Sequence, residues 1–290
     1  VKLGTNDISS VYLGTNGVSK VYLGSTEVWS SFTGLLDTYT GAAAAYSLRL
    51  LRTAYTGSAI RVRRASDNAE QNIGFVDNEL DTTSLASFCS GTNGFVTTWY
   101  DQSGNGRNAT QTTAASQPQI VSSGSVITEN GKAAVQYDGV DDQLQMTSAV
   151  DLTDTFFVPL VYKSNRTSSE DYILYGDVGA SRIRLYSGLY RVYIDNSTYD
   201  FTTANDNFGT QYLFTNESDS SGNLIVYRDG SALGAAQSIP GTDNWIIEFI
   251  GYGSVRQTNG LLQEIILWDS EQNTNRTGIE TNINDFYSIY

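Results

Sequence analysis

The chain has 290 residues, enough for one large domain or two smaller ones with a substantial core. Its net charge of −14 argues against a nucleic-acid backbone or an anionic membrane as partner, because either demands an exposed basic surface. The absence of histidine removes the serine–histidine–acid triad, the usual zinc ligands and the commonest general base.

With 27 Gly, 19 Tyr and only 3 Pro, the composition is that of many short strands joined by tight turns, so the expected fold class is mainly β. Cys89 is the sole cysteine, which rules out an intrachain disulfide framework. Set in an apolar run with Leu85 and Phe88, it reads as a buried thiol. No run approaches the roughly 18 consecutive apolar residues of a spanning helix. Val1-Lys2-Leu3 begins no basic and apolar leader, so the expected chain is assembled in a cytoplasm or already processed.

Residues 1–30 repeat with a period of ten: Leu3-Gly4-Thr5-Asn6, Val11-Tyr12-Leu13-Gly14-Thr15-Asn16 and Val21-Tyr22-Leu23-Gly24-Ser25-Thr26. Each unit reads as a strand, a glycine turn and a second apolar position. Such units cannot bury their apolar residues alone, so 1–32 is expected to be an anchoring or oligomerising segment. Tyr12, Leu13, Tyr22, Leu23 and Trp29 are its candidate assembly residues. The alternative is that these strands extend the sheet of the following domain. The repeat resembles those at the starts of phage structural proteins, including tail-fibre and head-fibre proteins.

Further on, 41–55 has Ala44, Leu48, Leu51 and Tyr55 on one helical face, which predicts a helix stopped by Gly57. A strand is predicted over 59–65, with Arg61, Arg63 and Arg64 turned outward to pair with carboxylates. A short helix over 82–89 and a strand from Gly94 follow, the latter ending in the polar turn Tyr100-Asp101-Gln102-Ser103-Gly104-Asn105. In that order, these stretches resemble the N-terminal part of the catalytic domain of fungal-type α-L-arabinofuranosidases, over residues 45–135. The resemblance implies a concanavalin A-like sandwich and two catalytic carboxylates. Neither carboxylate is placed by a motif. The family also carries a vicinal cysteine pair beside its sugar pocket, and this chain departs from it with Cys89 alone. Asp101 and Asn105 are candidates both for holding the turn and for binding a sugar.

Val135 and Tyr137, then Leu144 and Met146, alternate with polar residues around the turn Asp138-Gly139-Val140-Asp141-Asp142. This run resembles the opening strands of concanavalin A-like (laminin-G-like) jelly rolls. Asp138, Asp141 and Asp142 also make it a candidate calcium site, since calcium takes several hard oxygen ligands from flexible loops. Strands are then predicted over 155–162, 172–175, 182–186, 189–194, 211–215, 224–228, 245–252 and 261–268, with a hairpin turn at Asp229-Gly230. Ile279, Ile283 and Phe286, at helical spacing, predict a closing helix. Tyr172, Tyr175, Tyr190 and Tyr193 are glycan-binding candidates, because a tyrosine offers an apolar face and a polar hydroxyl.

The leading expectation is a non-catalytic phage virion structural protein, a fibre, decoration or tail-associated protein located in the virion. It would form a homotrimer or another cyclic oligomer and contact other virion proteins through residues 1–32. Residues 33–290 would form a concanavalin A-like β-sandwich (jelly roll) with a few short helices that binds surface glycans. A glycoside hydrolase of arabinofuranosidase type is the first alternative, and a carbohydrate-binding or adhesion module the second.

Overall fold

The structure, a computed structural model, describes residues 2–290 except 4, 5, 9, 14, 19, 153–154, 168–169, 177–180, 187, 196, 204–207, 241–244 and 252–257. For 2, 3, 6, 7, 16 and 26–30 it describes the backbone alone. The candidate assembly residue Trp29 therefore has its side chain outside the described part. Each ten-residue repeat forms its own two-stranded antiparallel hairpin: Lys2–Leu3 with Asn6–Asp7, Val11–Leu13 with Asn16–Val18, and Lys20–Leu23 with Thr26–Ser30. Among the described residues, no strand pairing joins these hairpins to one another or to the rest of the chain. Tyr12, Leu13, Tyr22 and Leu23 are exposed.

The remainder is an antiparallel β-sandwich. Its main strands are β1 (Ala44–Ser47), β2 (Ile60–Arg64), β3 (Glu70–Ile73), β4 (Gly94–Trp99), β5 (Ala109–Thr110), β6 (Gln119–Ser122), β7 (Val135–Asp138), β8 (Leu144–Asp151) and β9 (Phe157–Ser164). They continue as β10 (Asp171–Tyr175), β11 (Arg182–Tyr186), β12 (Leu189–Ile194), β13 (Ser197–Thr202), β14 (Gln211–Ser218), β15 (Asn223–Arg228), β16 (Ile246–Ile250) and β17 (Asn259–Leu267). One layer runs β15-β14-β9-β17, and β1 and β7 share the far edge of β17. The other runs β8-β16-β10-β11-β12-β13. At the side, β4 pairs with β2, β5 and β6, and through β5 and β6 it reaches both layers.

Period-two alternation on β9 explains how one layer serves two cores. Val158, Leu160 and Tyr162 enter the main core between the layers with Phe214, Tyr190 and Trp245. Phe157 and Val161 turn to the outer face, where Leu35 and Leu36 of α1 (Leu35–Thr38) and Ile279, Ile283 and Tyr287 of α3 (Arg276–Tyr287) cover them. A third helix, α2 (Thr82–Phe88), begins with the Asp81 carboxylate accepting from Ser84 N at 2.9 Å. Cys89 at its end is buried, and burial pushes its thiol up, as expected of an inert cysteine.

The predicted helix over 41–55 does not form. Residues 44–47 are a strand buried on both faces, with Ala44 and Tyr46 in the main core and Ala45 in the outer one, so the stretch carries no period-two signal. Two side chains also capture its backbone amides. Ala45 N donates to Asp101 Oδ1 at 2.9 Å, and Leu51 N to Gln102 Oε1 at 2.8 Å. Strand β13 was not predicted; of the predicted 245–252 strand, Gly251 falls beyond the end of β16 and residue 252 lies outside the described residues.

Candidate active site

The turn after β4 is a brace. Asp101 is 4% exposed and its carboxylate accepts four hydrogen bonds: from Ala45 N, Ser103 N, Ser103 Oγ and Arg107 N, at 2.8–3.0 Å. Gln102 donates from Nε2 to the carbonyls of Ser47 and Arg49, each at 3.0 Å. Asn105 Nδ2 donates to the carbonyls of Ala42 and Ala43. Of the two glycan candidates here, Asp101 has its carboxylate committed to this turn and to β1, and Asn105 its Nδ2 to the backbone before β1. They hold 42–51 against the sandwich.

The acidic turn after β7 draws three carboxylates together, with one oxygen of each within 4.8 Å of the others. Asp138 Oδ1 accepts from Val140 N at 2.7 Å, Asp141 Oδ2 from Ser116 Oγ at 2.8 Å, and Asp142 Oδ2 from Asp138 N at 2.8 Å. Burial, then the charge of Asp138 and of Asp141, push the Asp142 carboxyl up to about 7. Gly251 at φ +74 lies against this turn, where a Cβ would stand 2.6 Å from Tyr137 Cε1 and 2.9 Å from Asp142 O. The donor set suits a hard divalent cation.

From this turn a polar chain runs to the second layer. Asp138 pairs with Asn259 in register, and Asn259 N donates to Asp171 Oδ1 at 2.8 Å. Asp171 also accepts from Tyr162 Oη, Ser164 Oγ and Arg166 Nε, and burial raises its carboxyl despite these donors. It reads as a structural anchor. Its neighbour Glu170 is partly exposed, accepts from Tyr172 Oη at 2.9 Å, and forms an ion pair with Arg184 Nη1 at 2.6 Å.

On the outward side of β10 to β13, period two lines up Arg182 and Arg184 on β11 with Arg191 and Tyr193 on β12. In register, Arg182 faces Tyr193, Arg184 faces Arg191, and Arg191 faces Asp200, with which it pairs. The guanidinium carbons of Arg182 and Arg184 stand 3.8 Å and 4.8 Å from the centre of the Tyr193 ring. Burial alone would raise the Tyr193 phenol, yet hydrogen bonds from Arg191 and Arg182 and the charge of Arg184 hold it below its ordinary value. Asp195 follows in the turn beyond β12 at φ 45.

Of the tyrosine candidates, Tyr193 and Tyr175 are half-buried on this face, with Tyr175 tilted against Phe249 at 6.1 Å. Tyr172 belongs to the cluster but is only 2% exposed. Tyr190 is corrected outright, because it points the other way, fully buried and stacked on Phe214 at 4.6 Å. Sequence reasoning passed over Arg182, Arg184, Arg191 and Glu170. The signal that marks the arginines is alternation in two runs, Arg182-Ile183-Arg184 and Arg191-Val192-Tyr193, each with an aliphatic residue between two arginines or an arginine and a tyrosine, in a chain otherwise so acidic.

Residues 37–143 match the family model described as Alpha-L-arabinofuranosidase B, catalytic. A curated relative, the probable alpha-L-arabinofuranosidase B of Aspergillus terreus, is 41% identical over 75 residues, which are 25% of this chain and 15% of that protein. Among solved structures, an arabinofuranosidase complexed with arabinofuranosyl-α-1,2-xylobiose has a TM-score of 0.67 at 16% identity, covering 87% of this chain and 64% of that one. A GH54 α-L-arabinofuranosidase soaked with a cyclic sulfate inhibitor gives 0.66 at 16% identity, over 86% and 63%. The chain thus spans less than two thirds of each of these proteins.

The structural likenesses show the fold, and the family match shows that residues 37–143 are similar to an arabinofuranosidase catalytic domain. They overturn the expectation of a non-catalytic phage virion structural protein. The ten-residue repeat that carried that expectation lies outside the matched residues, whereas the Tyr100-to-Asn105 turn that carried the alternative lies within them.

Proposed function

We propose that the chain is a glycoside hydrolase that releases α-L-arabinofuranosyl groups from polysaccharide side chains. The observation that carries this reading is the match of residues 37–143 to an arabinofuranosidase catalytic domain, with the Asp101 brace at its centre. In a chain without histidine, carboxyl groups must move the protons. In the retaining reaction one carboxylic acid protonates the glycosidic oxygen as its bond to the anomeric carbon breaks, and a carboxylate attacks that carbon. Water then hydrolyses the glycosyl ester, with the first group now acting as base. Glu170, Asp195 and Asp200, along the outward face of the second layer, are the carboxylates we assign as candidates for these roles.

Turnover of 4-nitrophenyl α-L-arabinofuranoside tests the reading. The expected result is release of nitrophenol that falls by about a thousandfold or more in at least one of Glu170→Gln, Asp195→Asn and Asp200→Asn. No release by the wild-type chain on this substrate or on an arabinosylated xylo-oligosaccharide would sink it.

We further propose that residues 1–30 join copies of the chain into a trimer or another cyclic oligomer. Exposed Tyr12, Leu13 and Leu23 on hairpins with open edges favour this.

A further inference from the structure

Three guanidinium groups, those of Arg182, Arg184 and Arg191, crowd the outward face of the second layer around one tyrosine ring. Arg184 pairs with Glu170 and Arg191 with Asp200, while among the described residues Arg182 has no carboxylate partner. Arg184 and Arg191 stand directly opposite each other across β11 and β12, an arrangement that costs stability when nothing anionic lies between. Among the described residues, the Nε atoms of Arg182 and Arg184 are both buried without a hydrogen-bond acceptor, and Arg184 is itself only 4% exposed. A buried donor left unmade is expensive, and an incoming acceptor would relieve it. The three guanidinium groups share one neighbour, the Tyr193 ring, with Arg191 Nη1 also 3.3 Å from its hydroxyl.

We propose that this face is a subsite for a carboxylate carried on a sugar, so that the polysaccharide recognised here contains hexuronic acid residues beside its arabinofuranosyl branches. Planar guanidinium forks match a carboxylate with paired hydrogen bonds, which a neutral sugar hydroxyl does not offer. The half-buried rings of Tyr175 and Phe249, on the neighbouring strands, supply apolar surface for the sugar itself. The net charge of −14 does not forbid this. At physiological salt, exposed charges beyond about 8 Å are largely screened, so the local guanidinium groups decide. The inference rests on the glycoside hydrolase reading only in taking the ligand to be a saccharide.

Calorimetric titration of the full chain with trigalacturonate, and separately with its methyl ester, tests it without any variant. The expected result is affinity at least about tenfold higher for the free acid, lost in Arg182→Gln and in Arg191→Gln. Equal affinity for acid and ester, or affinity unchanged in both variants, overturns the proposal. Complete displacement of the uronide by millimolar sulfate would also overturn it, by making the face a general anion site. Turnover of the uncharged nitrophenyl arabinofuranoside is scored independently, so the hydrolase reading and this one can fail separately.

Discussion

Asp101 and Asp142 are both buried carboxylates in turns, and their partners set them apart. Asp101 accepts four hydrogen bonds, two of them from Ser103. Among the described residues, Asp142 accepts from the Asp138 amide alone, beside two like charges. Its folded-state carboxyl is raised from 3.8 to about 7, so between those values the folded chain holds a proton that the unfolded chain has released. Stability from this group therefore falls as pH rises through that window and is fully lost above it. Asp142→Asn, which keeps an acceptor for the Asp138 amide, is expected to be more stable than the wild type at pH 8 by about 1–3 kcal/mol, with the gap closing towards pH 4. Melting at both pH values checks this. Added calcium tests the candidate cation site at this turn: binding there is expected to raise the wild-type Tm at pH 8 and to leave that of the variant unchanged. At this scale the sequence was a fair guide to turns and a poorer one to faces: the brace role of Asp101 was readable from turn chemistry, whereas Tyr190 and Tyr193 were offered together although alternation around Arg191 puts them on opposite faces of β12.

The closing helix is the element most dependent on its partner surface. Ile279, Ile283 and Tyr287 of α3 are buried against Phe157, Leu213 and Trp268. Beside them Arg276 lies 4.0 Å from Glu217 and bonds Glu280 at 2.6 Å. Burial lifts the Glu217 carboxyl to about 7, so apolar contact rather than this ion pair must hold the helix down. Ile283→Ala is expected to cost about 2–5 kcal/mol, read as a lower denaturation midpoint at unchanged slope. The spacing of Ile279 and Ile283 made α3 visible in the sequence. The same rule misread 41–55, because a strand buried on both faces presents no alternation and Ala44 to Ala45 fit either period.

At the scale of the whole chain, the hairpins and the sandwich are separate sets of strand pairings. A chain starting at Phe32 is expected to keep its Tm within about 2 °C and to sediment as a monomer while the full chain sediments as an oligomer. A monomer in both cases would remove the self-association reading. Sandwich architecture was legible from regular strands and turn signals. The alternating arginines are visible in the sequence, but the face they make is not, because it forms only when β11 and β12 lie side by side.

Strand order also governs how the molecule is made. β17 starts at Asn259, near the end of the chain, yet it lies inside its layer and pairs with β1, β7 and β9. Ser47 and Glu264, bonded at 2.7 Å, are 217 residues apart. A nascent chain that has released residues 37–143 from the ribosome has made its family signature but not the strand that closes it. Its apolar edges stay open until β17 has emerged, so this part of the chain needs protection from aggregation throughout the synthesis of residues 37–267.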